Sequence, residues 1–254
     1  MRAVDIGVHK ISGSWTLMKM SFKKNWKFYG QEALGLGIFM VSACCFSGLL
    51  FGKNGWLVHD FSAFTRQCIL GLLMGATALF IFYSPLTSPS GSHINPAVTL
   101  SFLRVKKIGG WDALFYIIFQ TLGGTLTVYG MAFLMGENLK AAPLFDVVTV
   151  PGKSGPAVAA MTELIIAAIM MTMVLFTSDY PWGRKFSRLI AGGLVCIFVV
   201  IAGPISGFGM NPARSFASAL PAGVWTSFWI YILMPLTGML GAAEIYLFTR
   251  RRNL

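Results

Sequence analysis

The sequence predicts an all-α membrane protein: six transmembrane helices plus two re-entrant half-helices, arranged as an inverted tandem repeat. Three observations carry that expectation. Of 254 residues, 56% are hydrophobic and only 11% charged, with a mean hydropathy of +0.69, which leaves too little charge to coat a soluble domain. Runs free or nearly free of charge recur at the length of about twenty residues that crosses a bilayer as a helix. The triplet Asn-Pro-Ala occurs twice, at Asn95-Pro96-Ala97 and Asn211-Pro212-Ala213, each shortly after a Ser-Gly step.

The elements follow in order. Residues 1–29 form a basic segment carrying Arg2, Lys10, Lys19, Lys23, Lys24 and Lys27, a topology signal or a contact to anionic lipid. The first long apolar run starts near residue 33 and is of membrane length, so it guides insertion itself, and no cleavable signal peptide is expected. Spans are expected at about 30–52, 67–87, 111–136, 157–178, 188–205 and 225–248, followed by a basic tail at 249–254. Between the second and third spans, residues 82–90 hold Pro85, Pro89 and four Ser or Thr residues, a turn-forming loop that either gates or simply varies at the surface. The two Asn-Pro-Ala segments are too short to cross and too apolar for a wet loop. A polar residue before proline starts a helix, because Pro in the first turn loses no bond and Asn caps the free amides. Such polar helix ends at membrane depth must be buried in protein or line a cavity.

The two copies repeat their surroundings. Residues 90–98 and 206–214 share five identities in nine places, and Glu32 and Glu163 stand just inside the first and fourth spans. Repeat one covers about 30–136 and repeat two about 157–248, within a membrane domain at 30–248. Three spans separate equivalent points, so the halves insert with opposite orientation and their half-helices meet tip to tip near the midplane.

The net charge of +11 does not point to nucleic acid, because its distribution is a topology pattern. Fifteen of the twenty Lys and Arg residues fall in one alternating set of segments, the opposite set holding Lys53, Arg66, Lys140 and Lys153, with Arg214 left at membrane depth. The positive-inside rule then puts both termini in the cytoplasm, with a plasma or inner membrane as expected host. Each helix N-terminus acts as about half a positive charge. Two of them aimed at one point, with Arg214 beside them, oppose a cation and accept a neutral molecule with a lone pair, the established rule for pores of this kind. Snorkelling of Arg214 to the interface is the plainer reading, but the matching position in repeat one is the apolar Val98.

These motifs resemble the aquaporins, the major intrinsic proteins. The likeness rests on the paired triplets, the run from His93 to Thr99, the run from Met210 to Ser215 and the two carboxylates, and covers about residues 30–248. It implies a channel domain with one pore per protomer, a homotetramer in the lipid bilayer, and no cofactor. It also implies a filter near the external mouth: Val199 from the fifth span, Phe208 and Arg214 from the second half-helix region, and Leu70 or Met74 from the second span. Water-selective members usually carry histidine where Val199 stands, so a wider and greasier opening is expected. Gly207-Phe208 is similar to bacterial glycerol facilitators, while Ser215 departs from them, since they carry an acidic residue after the arginine. Val199, Tyr231, Ile232 and the run 203–207 are similar to the nodulin-like intrinsic proteins, a subgroup that passes water, glycerol and undissociated metalloid acids.

The expected function is therefore a passive channel for water and small uncharged solutes that excludes protons and ions, with a strictly water-selective pore as the alternative. A proton-coupled transporter using Glu32 and Glu163 is the rival from another class. Against it, both carboxylates suit acceptance of backbone hydrogen bonds from the re-entrant segments. His93, on the cytoplasmic approach, either contacts the permeant or senses pH, or is a neutral structural imidazole. Nothing suggests catalysis or a metal: His9, His59 and His93 are badly spaced for a cluster, and Cys44, Cys45, Cys68 and Cys196 read as packing residues. Gly35, Gly37, Gly192 and Gly193 suit close helix crossings.

Overall fold

The computed structural model describes the backbone of residues 5–252, and the side chains of residues 14–251 other than Trp182. Nine helices are described: α1 (Asp5–Phe51), α2 (Ala63–Tyr83), α3 (Pro96–Arg104), α4 (Gly110–Met135), the short α5 (Glu137–Lys140), α6 (Gly155–Asp179), α7 (Pro181–Ser206), α8 (Pro212–Ala222) and α9 (Trp229–Arg252). Among the described residues no strand is present. Six helices, α1, α2, α4, α6, α7 and α9, are long and apolar enough to cross a membrane, and α3 and α8 are the two half-helices.

The packing repeats with the sequence. α1 packs chiefly on α4 and α6 on α9, while α2 and α7 pair across the two halves. Close approach at the first two crossings needs a glycine: a Cβ on Gly123 of α4 would lie 2.4 Å from the Ala33 carbonyl, and one on Gly238 of α9 would lie 2.5 Å from that of Leu164. Gly35, Gly37 and Gly192 also meet neighbouring elements closely, but a Cβ on Gly193 would meet nothing within 4 Å, so that glycine is not at a crossing. The four cysteines are free, with only Cys44 buried.

Several helix limits differ from expectation: α7 starts at Pro181 and not near 188, α2 at Ala63 and not near 67, and three further differences have a visible cause. α1 starts at Asp5, far upstream of residue 30, and its extension is anchored to α4 over residues 21–29. Tyr29 is fully buried, and its hydroxyl donates to Asp112 Oδ1 at 2.6 Å, an oxygen that also accepts from Ser21 Oγ at 2.5 Å and Asn25 Nδ2 at 2.9 Å. Phe22 packs edge-on against Phe115 at 5.1 Å. Hydropathy cannot register a helix held by polar and aromatic contacts. α2 stops at Tyr83 and not near 87, since Ser84 precedes Pro85 and takes extended backbone (ψ 133°). α9 opens at Trp229 and not near 225, after a turn in which Ser227 has φ of 52°.

Candidate functional site

Both half-helices begin as proline-led, asparagine-capped turns. Asn95 is extended at φ −153° and accepts from Ala97 N at 2.8 Å, and Asn211, at φ −140°, accepts from Ala213 N at 3.0 Å and Arg214 N at 3.2 Å. Pro96 and Pro212 occupy the first helical position, and Ala97 and Ala213 are buried behind them. The other end of each side-chain amide crosses between the repeats: Asn95 Nδ2 donates to Met210 O at 2.8 Å and Asn211 Nδ2 to Ile94 O at 2.6 Å. The two tips are therefore bonded to each other reciprocally. One of the two hydrogens on each amide is used in this way.

The loops leading into the tips are strained in register. Ser92 and Ile94 have φ of 50° and 43°, and their counterparts Phe208 and Met210 have φ of 51° and 45°. A left-handed turn costs a non-glycine residue about 1–2 kcal/mol, more for β-branched Ile94. Buried carboxylates hold these turns. Glu32 accepts from Ser90 Oγ (2.6 Å), His93 N (3.0 Å), Ile94 N (2.6 Å) and Gln120 Nε2 (2.7 Å). Glu163 accepts from Ser206 Oγ (2.6 Å), Gly209 N (2.8 Å) and Met210 N (2.5 Å). Tyr116 and Tyr231 each donate a hydroxyl at 2.7 Å to the carbonyl of Ser90 and Ser206 respectively.

A cavity lies on either side of the joined tips. The one on the side of the chain termini, about 230 Å³, is lined by His93, Asn95, Val98, Phe102, Met210 and Asn211 among others. The far cavity, about 540 Å³, is lined by Leu70, Met74, Val199, Phe208 and Arg214 with Gln67. Phe39 of α1 and Phe208 belong to both walls, so the cavities adjoin there.

The contacts of α2 with α7 set the register of the second span. Gln67 Nε2 donates to Val199 O at 2.6 Å, and Gly71 faces Cys196 and Val200, which brings the turn carrying Leu70 alongside Val199. Met74 lies one turn deeper and is buried. Arg214 is 9% exposed and donates to Ser218 Oγ at 3.5 Å. Among the described residues no carboxylate lies within ion-pair distance of it, so most of its guanidinium donors face the far cavity unused.

His93 sits in a structural pocket as well as on the cavity wall. Its ring stacks on Phe102 at 4.7 Å and meets Tyr116 edge-on at 5.2 Å. Its Nδ1 lies 3.2 Å from Thr99 Oγ1, which donates to Asn95 O and accepts from Gln120 Nε2. That network assigns the proton to Nδ1 and leaves Nε2 as an acceptor. Glu244, near the end of α9, pairs with Arg104, and outside the spans burial pushes the carboxyl of Asp146 up, opposed by Lys140.

Three residues here were not singled out from sequence. Gln67 and Gln120 carry a usable signal, a lone amide in a span otherwise short of polar side chains. Phe39 carries none, because α1 is apolar on every side at that level.

The pattern of the major intrinsic proteins, described as "Major intrinsic protein", matches residues 19–246. The chain belongs to that family. As a major intrinsic protein it is a multi-span integral membrane protein of a family of channels and not of enzymes. It is 29% identical over 224 residues to aquaporin NIP1-1 of Zea mays, covering 87% of this chain and 74% of that one. It is 34% identical over 161 residues to aquaporin NIP2-3 of Zea mays, covering 63% of this chain; the match spans about half, 52%, of that relative's length. The fold is shared with the aquaglyceroporin from Plasmodium falciparum, with a TM-score of 0.70 at 21% identity over 87% of this chain and 94% of that one.

Proposed function

We propose that this major intrinsic protein is a passive channel for water and small uncharged solutes, with glycerol-like polyols and undissociated metalloid acids alongside water, and that it refuses protons and ions. One observation carries the reading: two half-helix tips, tied by Asn95 and Asn211, stand between two cavities, with Arg214 in the wall of one. Both positive helix ends and the guanidinium raise the energy of a cation at that point, while the remaining amide hydrogens and the Arg214 donors serve a solute oxygen. The far wall of Leu70, Val199 and Phe208 is apolar and holds no histidine, which suits a carbon skeleton better than water alone. Relatives named aquaporin NIP1-1 and aquaporin NIP2-3 support the channel reading, and a fold neighbour named an aquaglyceroporin supports a solute besides water.

In this reading the termini are cytoplasmic, the far cavity is external, and four copies assemble in the bilayer, each with its own pore. A proton-coupled carrier is disfavoured, because both oxygens of Glu32 and of Glu163 already accept bonds that hold the loops. The test is stopped-flow swelling of proteoliposomes in sorbitol and glycerol, with and without a proton gradient. The expected result is water and glycerol flux with a low activation energy, linear in solute and indifferent to the gradient. Saturation, or arrest when the gradient collapses, would replace the channel by a carrier.

A further inference from the structure

The far cavity contains a polar side chain that the filter positions do not include. Gln67, one turn of α2 from Leu70 toward the mouth, lines that cavity together with Arg214. Its Nε2 donates to the Val199 carbonyl at 2.6 Å, which fixes the amide plane. Its Oε1 accepts no hydrogen bond from a described residue. The room for this arrangement is made by Gly203 of α7, where an added Cβ would lie 2.3 Å from Gln67 Nε2. Two helices thus cooperate to hold one amide against a wall that is otherwise Leu70, Val199, Phe64 and Phe208.

The chemistry of the two polar groups is complementary. Arg214 can only donate hydrogen bonds, while the carbonyl end of Gln67 can only accept. A solute with one hydroxyl on each group satisfies both at once and keeps its carbon backbone on the apolar wall. Water, with a single oxygen, satisfies either group in turn. We infer that Gln67 is a specificity-determining residue, which with Arg214 forms a two-point site in the far cavity for neutral solutes bearing at least two hydroxyl groups. The inference rests on the channel reading above and names the solute class that this cavity favours.

The test compares Gln67→Met, which keeps length and removes the acceptor, with Gly203→Ala, which leaves Gln67 in place but drives its amide off Val199. Both are reconstituted as full chains in liposomes and measured for water and glycerol, with 1-propanol, a solute with a single hydroxyl, as control. Loss of one neutral hydrogen bond predicts that glycerol permeability falls about fivefold in each variant. Water flux should stay at wild-type level, which also reports that the variants are folded, and 1-propanol, which crosses lipid without a channel, should not distinguish them. If wild-type liposomes pass glycerol but both variants keep the wild-type ratio of glycerol to water, Gln67 is only a packing residue and the inference fails. Wild-type liposomes that pass water and no glycerol would overturn the solute reading of the pore itself.

Discussion

The two re-entrant loops are the same scaffold carrying different side chains. In each, a buried glutamate from the first helix of the repeat, a serine, two consecutive backbone amides and a tyrosine hydroxyl hold a pair of left-handed residues ahead of an asparagine. The positions that touch the cavities diverge: Ser92 against Phe208, His93 against Gly209, Val98 against Arg214. Duplication kept the parts that satisfy buried polar groups and released the parts that meet solute. In the proposed channel, then, the shared residues other than the two cavity-lining asparagines carry stability and the unshared ones carry selectivity, and that division can be broken by experiment.

The largest effect belongs to the carboxylates. Glu32→Leu and Glu163→Leu each leave backbone donors buried and unbonded beside strained turns, at about 1–3 kcal/mol per donor, so each should lose about 3 kcal/mol or more of stability. Thermal unfolding in detergent measures it. Both variants should melt well below wild type, and a large loss in one repeat with none in the other would end the claim of equivalence.

Next comes Gly209→Ala. A Cβ there would lie 2.5 Å from Tyr231 Cδ1 and 3.2 Å from Glu163 Oε2, and the tyrosine cannot retreat without losing its bond to Ser206 O. Overpacking of this kind costs about 1–3 kcal/mol. Repeat one accepts a full imidazole at the matching position, since Tyr116 meets the His93 ring edge-on at 5.2 Å. A melting temperature unchanged by Gly209→Ala would mean that the two tyrosines are placed alike and that glycine here is incidental.

These contrasts also mark what the sequence could reveal. Asn-Pro-Ala at both sites, the Ser-Gly steps and the paired glutamates are local patterns with one physical meaning each, so the half-helices, their caps and the inverted repeat were legible. The reciprocal bonds from Asn95 to Met210 O and from Asn211 to Ile94 O were not, because they join backbone carbonyls that no side-chain pattern advertises. Where Leu70 and Met74 stand, both on the far cavity wall, depends on the crossing of α2 on α7, which Gly71 and Gln67 set through contacts more than a hundred residues away along the chain. The early start of α1 escaped for a related reason, as its anchor is Asp112 on α4.

Arg214→Val makes the second half-helix resemble the first, and it tests selectivity with little change in packing class. A unit charge acting over about 10 Å at an effective dielectric near 20 is worth about 1.7 kcal/mol. Proton and sodium leak through proteoliposomes, followed with an entrapped pH dye and by bilayer currents, should rise on the order of tenfold, with water flux retained. An unchanged leak would leave the whole barrier to the two helix ends and make the asymmetry at Val98 and Arg214 irrelevant to ions.

The smallest effect is expected from His93→Gly, the converse change, which makes repeat one resemble repeat two. The ring gives up its stack on Phe102 and its contact with Thr99, a loss of about 0.5–1.5 kcal/mol that should show as a slightly lower melting temperature. Permeability should barely respond, because His93 lines the cavity on the terminal side whereas Phe208, Val199 and Arg214 line the far one. Water flux should change by less than about twofold, since the amide donors of Asn95 and Asn211 are untouched. The ratio of glycerol to water should not move at all. A shift in that ratio as large as one from Phe208→Ala would place a second constriction at His93, and selectivity would then belong to both repeats.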